Sequence, residues 1–402
     1  MSLLRARLAI LGLFLIHGLV VATWASRLPV IQSRLGISAG QLGVLLLASA
    51  IGAILAMPVT GKLMAQLGSK RVVIVSSFAF CLVLPGLALA PNSLWMAVAL
   101  FLYGFTAGVM DVSMNAQAVF LEKQYQKSIM IAFHAFFSIG GLLGSVLGSF
   151  SAAQRIAPSQ HFIGAAIAYA VVVAVASCFL IADRPAGESK KGPLFATFSW
   201  PLFGLCMIGF CCFLSEGAII DWSGIYLYRV LHSGESMAAL GFAFFSIAMT
   251  FGRLVGDALA DRFGAALLVL LGCLFAGGGM TFVLLSPSVL FALAGFTLVG
   301  IGFSVIVPLV FSASGRIGGN SYANLTTITL FSYCAFLLGP PLIGLLADLL
   351  GLRLALALIV VLTLVGALFS KVAFPPVSQE SQSFGELAEE RTALCAPPSS
   401  EV

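Results

Sequence analysis

Ala22-Thr23-Trp24-Ala25-Ser26, early in the chain, is answered past its middle by Ile220-Asp221-Trp222-Ser223-Gly224. Nineteen residues beyond each tryptophan the rhyme continues, with Gln41-Leu42-Gly43 set against Ala239-Leu240-Gly241. The chain thus partly repeats itself at a shift of 198 residues, close to half its length of 402. It is 60% hydrophobic and only 9% charged, so the repeated unit reads as a membrane-embedded half. Duplicated halves of this kind hold their substrate sites at the interface between the repeats, near the bilayer midplane. A transporter is the first reading.

Composition supports it. A soluble chain carries roughly 25% charged residues, far above the value here. Crossing a hydrocarbon core about 30 Å thick takes about 20 apolar residues. Twelve stretches qualify, beginning near residues 6, 39, 71, 94, 128, 161, 200, 236, 265, 288, 321 and 351. The first, Ala6 to Ala25, has Arg5 and Arg7 at its start as a signal peptide would. Its length, with eleven more spans behind it, favours a retained first helix. A cytoplasmic N-terminus places Arg27, Arg34, Arg155, Arg229 and Arg353 outside and the other fifteen of the 20 basic residues inside. The even span count then returns the C-terminus to the cytoplasm. The net charge of +5 is a topology signal, and no basic stripe points to nucleic acid. The eight cysteines include no C-x-x-C pair and read as packing residues, with no metal or other cofactor implied.

Residues 1–182 form the expected N-terminal six-helix bundle and 183–199 a cytoplasmic inter-bundle loop. Residues 200–374 form the C-terminal bundle, and 375–402, rich in Ser, Glu and Pro, a disordered cytoplasmic tail. The remaining connections are short, which predicts that sequential helices are antiparallel neighbours. Gly140, Gly144 and Gly148 have the spacing of a small-residue packing face. Pro340-Pro341 is expected to break span eleven unless neighbours satisfy the freed backbone groups.

Two loops carry a family resemblance. Gly61-Lys62-Leu63-Met64-Ala65-Gln66-Leu67-Gly68-Ser69-Lys70-Arg71 follows span two, and Asp257-Ala258-Leu259-Ala260-Asp261-Arg262-Phe263-Gly264 follows span eight. Both resemble the G-x-L-x-D-R-x-G-R-[KR] loop of the major facilitator superfamily, which latches the cytoplasmic face. Ala65 and Gln66 replace the acid–base pair in the first copy, and Asp257 replaces the leading glycine in the second. The resemblance therefore implies a cytoplasmic gate at Gly61, Gly68, Lys70, Arg71, Asp257, Asp261 and Arg262, resting mainly on Asp261 and Arg262. Further strings are Thr23-Trp24-Ala25-Ser26-Arg27-Leu28-Pro29, Asp111-x3-Asn115, His134-Ala135-Phe136-Phe137-Ser138-Ile139-Gly140, Glu216-Gly217-x3-Asp221-Trp222 and Tyr333-x5-Gly339-Pro340-Pro341. Together they resemble the YbjJ/MosC-type branch, related to the fucose–proton symporter group. The resemblance implies an all-α membrane protein of twelve transmembrane helices in two pseudo-symmetric six-helix bundles. It also implies a multi-pass secondary transporter of the bacterial inner membrane, and it supplies no substrate.

Polar residues inside the spans nominate the site. Asp111 lies about 26 Å into span four at 1.5 Å per residue. A charge there costs at least about 2.5–3.5 kcal/mol, which makes it a functional candidate. Asn115 shares its helix face. His134 lies about as far beyond the following turn as Asn115 lies before it, so the three are expected to converge. Two readings stay open: a proton-coupling site at Asp111 and His134, or a structural polar cluster. On span one, His17, Trp24 and Arg27 form one helical stripe. In the resembled fold spans one, four, seven and ten line the cavity, so the stripe is expected to face substrate or water. Trp24 and Trp222 suit stacking on a solute ring or an interfacial aromatic belt, the belt being favoured for Trp222. Glu216 is a deep cavity candidate on span seven, while Asp221 is expected near the outer interface beside Arg27 or Arg229. Tyr333 completes the cavity set. Span ten offers Val307 opposite Asp111, so proton handling is assigned to the N-terminal half.

The function expected is proton-coupled symport of a small polar, sugar-like solute, with a proton-driven exporter of drugs or amphipathic metabolites as the alternative. A receptor or intramembrane enzyme is the third class. H-E-x-x-H, a nucleophile motif and paired aspartates are missing, and Gly61-Lys62 runs into Leu63, so no Walker A loop is present. The expected partners are a small-molecule substrate, protons and the lipid bilayer, and the protein is expected to be a monomer.

Overall fold

A computed structural model describes residues 3–125, 129–182, 197–314 and 321–373. Most of the inter-bundle loop and the C-terminal tail lie outside the described residues, as do the side chains of Asp257 and Asp261. Among the described residues twelve helices are long and apolar enough to cross a membrane. In the N-terminal half they are α1 (Leu3–Leu35), α2 (Ala39–Leu67), α3 (Ser69–Leu89), α4 (Ser93–Tyr125), α5 (Met130–Ala153) and α6 (Pro158–Ser177). The second half holds α7 (Trp200–Ile225), α8 (Leu240–Phe263), α9 (Ala265–Leu285) and α10 (Val289–Phe303, resuming as Ile306–Ala313). It closes with α11 (Ser321–Leu350) and α12 (Leu352–Ala373). The end where the chain enters at Leu3 and leaves at Ala373 is called proximal here, the opposite end distal.

The packing carries the duplication that the sequence announces. Within the first half α1 lies against α5 and α6, α2 against α4, and α3 against α4 and α6. Adding six to each number gives the second half: α7 against α11 and α12, α8 against α10, and α9 against α10 and α12. The same operation exchanges the two main contacts between halves, α2 with α11 and α5 with α8.

Local chemistry sets the helix ends. Ser38 and Gln41 form a capping box at the start of α2: the Ser38 hydroxyl accepts from the Gln41 N–H at 3.1 Å, and Gln41 Oε1 accepts from the Ser38 N–H at 2.9 Å. The turns α2–α3 and α8–α9 each consist of one glycine, Gly68 at φ 80° and Gly264 at φ 79°. A side chain would be strained there, which explains the glycine in both copies of the loop motif. Between α4 and α5, Glu122 Oε2 accepts from the N–H groups of Ile129 and Met130 at 2.8 and 2.9 Å, satisfying two donors at the start of α5.

Gly140, Gly144 and Gly148 do form a packing face. A Cβ on Gly140 would run into the Leu15 carbonyl, on Gly144 it would meet the Ala22 Cβ at 2.8 Å, and on Gly148 it would strike Ser26. Helix α1 thus lies backbone to backbone on α5. Gly140→Leu is expected to destabilise the fold by about 3 kcal/mol or more, because neither backbone can retreat. A lowered thermal midpoint of the purified protein checks this.

Helix α11 passes through Pro340-Pro341 without a break. Gly43 of α2 closes directly on the Pro340 carbonyl, so a neighbouring backbone fills the space at the pair. The interruptions fall elsewhere. Helix α10 is broken at Ser304–Val305, and α7 ends in a π-helical turn, Tyr226–Val230. Breaks of both kinds concentrate where helices must bend around a site or a moving interface.

The halves meet at the distal end through three groups of contacts. Ser38 donates to Asp348 Oδ2 at 2.6 Å between α2 and α11. The Ser149 and Ser236 hydroxyls pair at 2.9 Å between α5 and the turn before α8. Arg27 Nη1 lies 3.6 Å from Glu235 Oε2.

Candidate functional site

Midway along the bundle, Asp111 on α4 gathers side chains from both halves. Asn115, one turn on, donates to Asp111 Oδ1 at 3.2 Å and to its backbone carbonyl at 2.8 Å. His17 of α1 places Nδ1 3.9 Å from Oδ1, with its ring held edge-on between Phe80 and Phe137 at 5.3 and 5.5 Å. From the second half, Tyr333 of α11 faces the Asp111 carboxylate. The Asp111 side chain is still 33% exposed, so it faces interior space that water can enter. A carboxylate with an imidazole, an amide and a phenol around it can exchange a proton while its shape is held.

The histidine at Asp111 is His17 and not His134. Helices α4 and α5 follow one another in sequence but scarcely touch, because α1 packs against both. Sequential helices here are therefore not always neighbours. His134 is exposed, lies edge-on to Phe14 at 5.3 Å, and has Arg253 as its charged neighbour.

Arg253 is the site residue that sequence reading missed. Its Nη1 donates to Ser138 Oγ of α5 at 3.1 Å, and its Nη2 lies 4.0 Å from Glu216 Oε1 of α7. Glu216 therefore occupies the interior. The signal was available: Arg253 is an ionisable residue within an apolar helix, the same pattern that marked Asp111. An aromatic cluster adjoins the two polar groups, with Phe213 at 5.3 Å from Phe336 and 6.2 Å from Tyr333.

Comparison with known proteins places this arrangement. Residues 9–332 match the Major Facilitator Superfamily. The chain belongs to the Major Facilitator Superfamily. An uncharacterized MFS-type transporter of Yersinia pestis is 37% identical over 358 residues, covering 87% of this chain and 91% of the relative. Membrane protein MosC of Rhizobium meliloti is 32% identical over 354 residues, covering 86% and 85%. The chain is thus a superfamily member of the MosC-like branch, a multi-pass membrane protein of a transporter family and not an enzyme. Among solved structures, the nucleoside transporter NupG (D323A mutant) superposes with a TM-score of 0.74 at 14% identity, covering 91% of this chain and all of that one. A bacterial homolog of the human lysosomal transporter Spinster, inward-facing and occupied, gives 0.73 at 14% identity over 91% and 95%.

The superfamily loop motif is half visible. In its first copy Gly68 makes the turn, Lys70 donates to the Leu180 carbonyl at 2.8 Å, and Ser69 accepts from Gln117 at 2.6 Å. These bonds tie the α2–α3 turn to α4 and to the end of α6. Gly61 and Arg71 are exposed. In the second copy Arg262 lies over the Phe263 ring at 5.3 Å, while the Asp257 and Asp261 side chains fall outside the described residues.

Three expectations are corrected. Trp222 is 0% exposed, which removes it from an interfacial belt. Trp24 is buried too, packed 6.3 Å from Tyr103, so neither indole offers a free face. Arg27 does not share the interior with His17: it is 2% exposed, donates to the Ile156 carbonyl and pairs with Glu235 at the distal contact. Among the described residues Asp221 forms no ion pair with Arg27 or Arg229, and the neutral Tyr103 phenol is its neighbour.

Proposed function

We propose that this protein is a proton-coupled secondary transporter of a small polar, sugar-like solute, working by alternating access. The observation that carries it is the Asp111 group, in which one ionisable carboxylate at mid-depth holds Asn115, lies 3.9 Å from His17 and faces Tyr333 of the other half. A proton bound there makes the carboxyl a poorer acceptor for Tyr333, weakens that contact, and so biases how the halves rock. Proton handling rests on Asp111 with His17. His134 is proposed to act on the Arg253 side instead, and Asn115 and Tyr333 to position the carboxylate. With both termini in the cytoplasm, the distal contacts close the outer face, and the motif loops with Asp261 and Arg262 form the inner gate. The working unit is a monomer in the bacterial inner membrane.

Ligand discovery comes first: a thermal-shift screen of the purified protein against sugars, polyols and drugs. Counterflow in proteoliposomes then tests transport, since a receptor binds without exchanging solute. Flux that ignores a proton gradient rejects the coupling. An exporter of amphipathic compounds is the second reading, favoured by the Phe213, Phe336 and Tyr333 cluster. It is also favoured by 25% identity over 274 residues to the multi-drug resistance efflux pump PmrA of Streptococcus pneumoniae. Hits confined to drugs in the same screen would select it.

Topology has its own test. Asn92 is exposed in the distal turn before α4. A cysteine replacing Asn92 is expected to react with an impermeant thiol reagent in intact cells, and one replacing Ser189 only after lysis. The reverse pattern overturns the orientation.

A further inference from the structure

Arg253 and Glu216 are interior charges that proton coupling at Asp111 leaves unused. Their side chains are only 16% and 17% exposed, and they are left short of partners. The guanidinium has five donors, of which the described structure engages one, on Ser138. The nearest Glu216 oxygen, at 4.0 Å, is beyond hydrogen-bond reach, and among the described residues the Glu216 carboxylate accepts no hydrogen bond. Half-buried charges held this loosely leave hydrogen-bonding capacity for water or a solute to complete.

We propose that Arg253 and Glu216, with Ser138, form the solute subsite, and that they select a neutral solute carrying adjacent hydroxyls. Charge decides the class. An anion drawn to Arg253 sits against Glu216, and a cation drawn to Glu216 sits against Arg253. A hydroxyl meets both demands, because its oxygen accepts from the guanidinium while its hydrogen goes to the carboxylate. With the pair 4.0 Å apart and not hydrogen-bonded to each other, each group is free to take one of two adjacent hydroxyls. Phe213, one helical turn before Glu216, supplies with Phe336 and Tyr333 an apolar wall for the C–H face of the solute. The site also spans the halves, since Ser138 belongs to α5 and the two charges to α7 and α8. Tyr333 joins it to Asp111, since its ring lies beside Phe213 and it neighbours the carboxylate.

This deepens the transport reading and relies on it only for the fate of the bound solute. The test is equilibrium binding to the purified full chain, by thermal shift and calorimetry, with D-glucose, sorbitol, D-glucuronate and D-glucosamine as probes. At least one neutral probe is expected to bind, and both charged probes to bind on the order of a hundredfold more weakly. Glu216→Gln should bring D-glucuronate level with or above the neutral probe, and Arg253→Gln should do the same for D-glucosamine. Arg253→Lys, which keeps the charge, should preserve the wild-type order at lower affinity and serves as the folding control. A charged probe binding wild type as tightly as the neutral ones overturns the proposal. So does an order unchanged in both Gln variants, or no neutral probe binding at all. Binding in the expected order without counterflow would reject the carrier and leave the subsite standing. Counterflow of a solute whose binding ignores both Gln substitutions would do the opposite.

Discussion

Asp111→Asn protein is expected to exchange its solute across a proteoliposome membrane at close to the wild-type rate, and to accumulate none of it when a pH gradient is the only driving force. The amide fits the same space. It can still accept from Asn115, the bond that holds the Asp111 side chain in place, and still faces Tyr333. What it lacks is a titrating oxygen. With one proton per solute, each pH unit is worth about 1.4 kcal/mol, or about tenfold accumulation in the wild type. The variant should stay at a ratio of about one, since no proton moves with the solute. His17→Asn is expected to leave accumulation in place and move its pH dependence, because the imidazole 3.9 Å away sets the field at the carboxylate without carrying the proton. His134→Ala should leave that dependence unchanged, since Phe14 and Arg253 are its neighbours. Gradient-driven accumulation by the Asn variant would reduce Asp111 to a structural polar residue.

The contrast between the two histidines shows what one sequence can and cannot reveal. Depth along a helix is legible, because each residue adds a fixed rise, and that rise places Asp111 well inside the bilayer. The direction a residue faces depends on which helix fills the neighbouring place, and nothing in the α4–α5 connection says that α1 packs between them. The twelve spans were legible for a stronger reason. A segment in lipid must bond its own backbone and show an apolar surface, so each helix is written in the text. The tryptophan repeat gave the two-fold relation in the same way.

Other errors have local causes. Arg253 was counted with the basic residues flanking the inner face, because the apolar run of span eight thins near it. The helix in fact continues to Phe263, which leaves Arg253 inside. Trp222 looked like a boundary residue on the assumption that span seven ends soon after it. The helix instead extends through the π-helical turn to Val230, and that extra length carries the indole inward. Arg27 was assigned by its stripe with His17, yet ten residues of helix separate them by about 15 Å along the axis. One face can therefore serve the interior at one depth and the distal contact at another.

That distal position makes Arg27 the next most informative residue to change. Its guanidinium is almost fully buried, with Nε and Nη1 lacking hydrogen bonds, and it faces Glu235, whose side chain is 41% exposed. The arginine thus depends on its partner more than the glutamate does. Glu235→Gln leaves a buried cation with little beyond the Ile156 carbonyl to hold it. Opening the distal end would return that cation to water. A fully buried pair loses roughly 3–5 kcal/mol when one partner is removed, and the exposure of Glu235 cuts this to about 1–2 kcal/mol. Glu235→Gln is accordingly expected to shift the closed-to-open ratio by roughly tenfold toward distal opening. Arg27→Gln should shift it the same way by less, since it leaves no buried charge behind. The readout is the labelling rate of a cysteine placed at Asn115, measured from the distal side with an impermeant reagent. Unchanged rates in both variants would show that Ser38–Asp348 and Ser149–Ser236 hold the distal end without this ion pair.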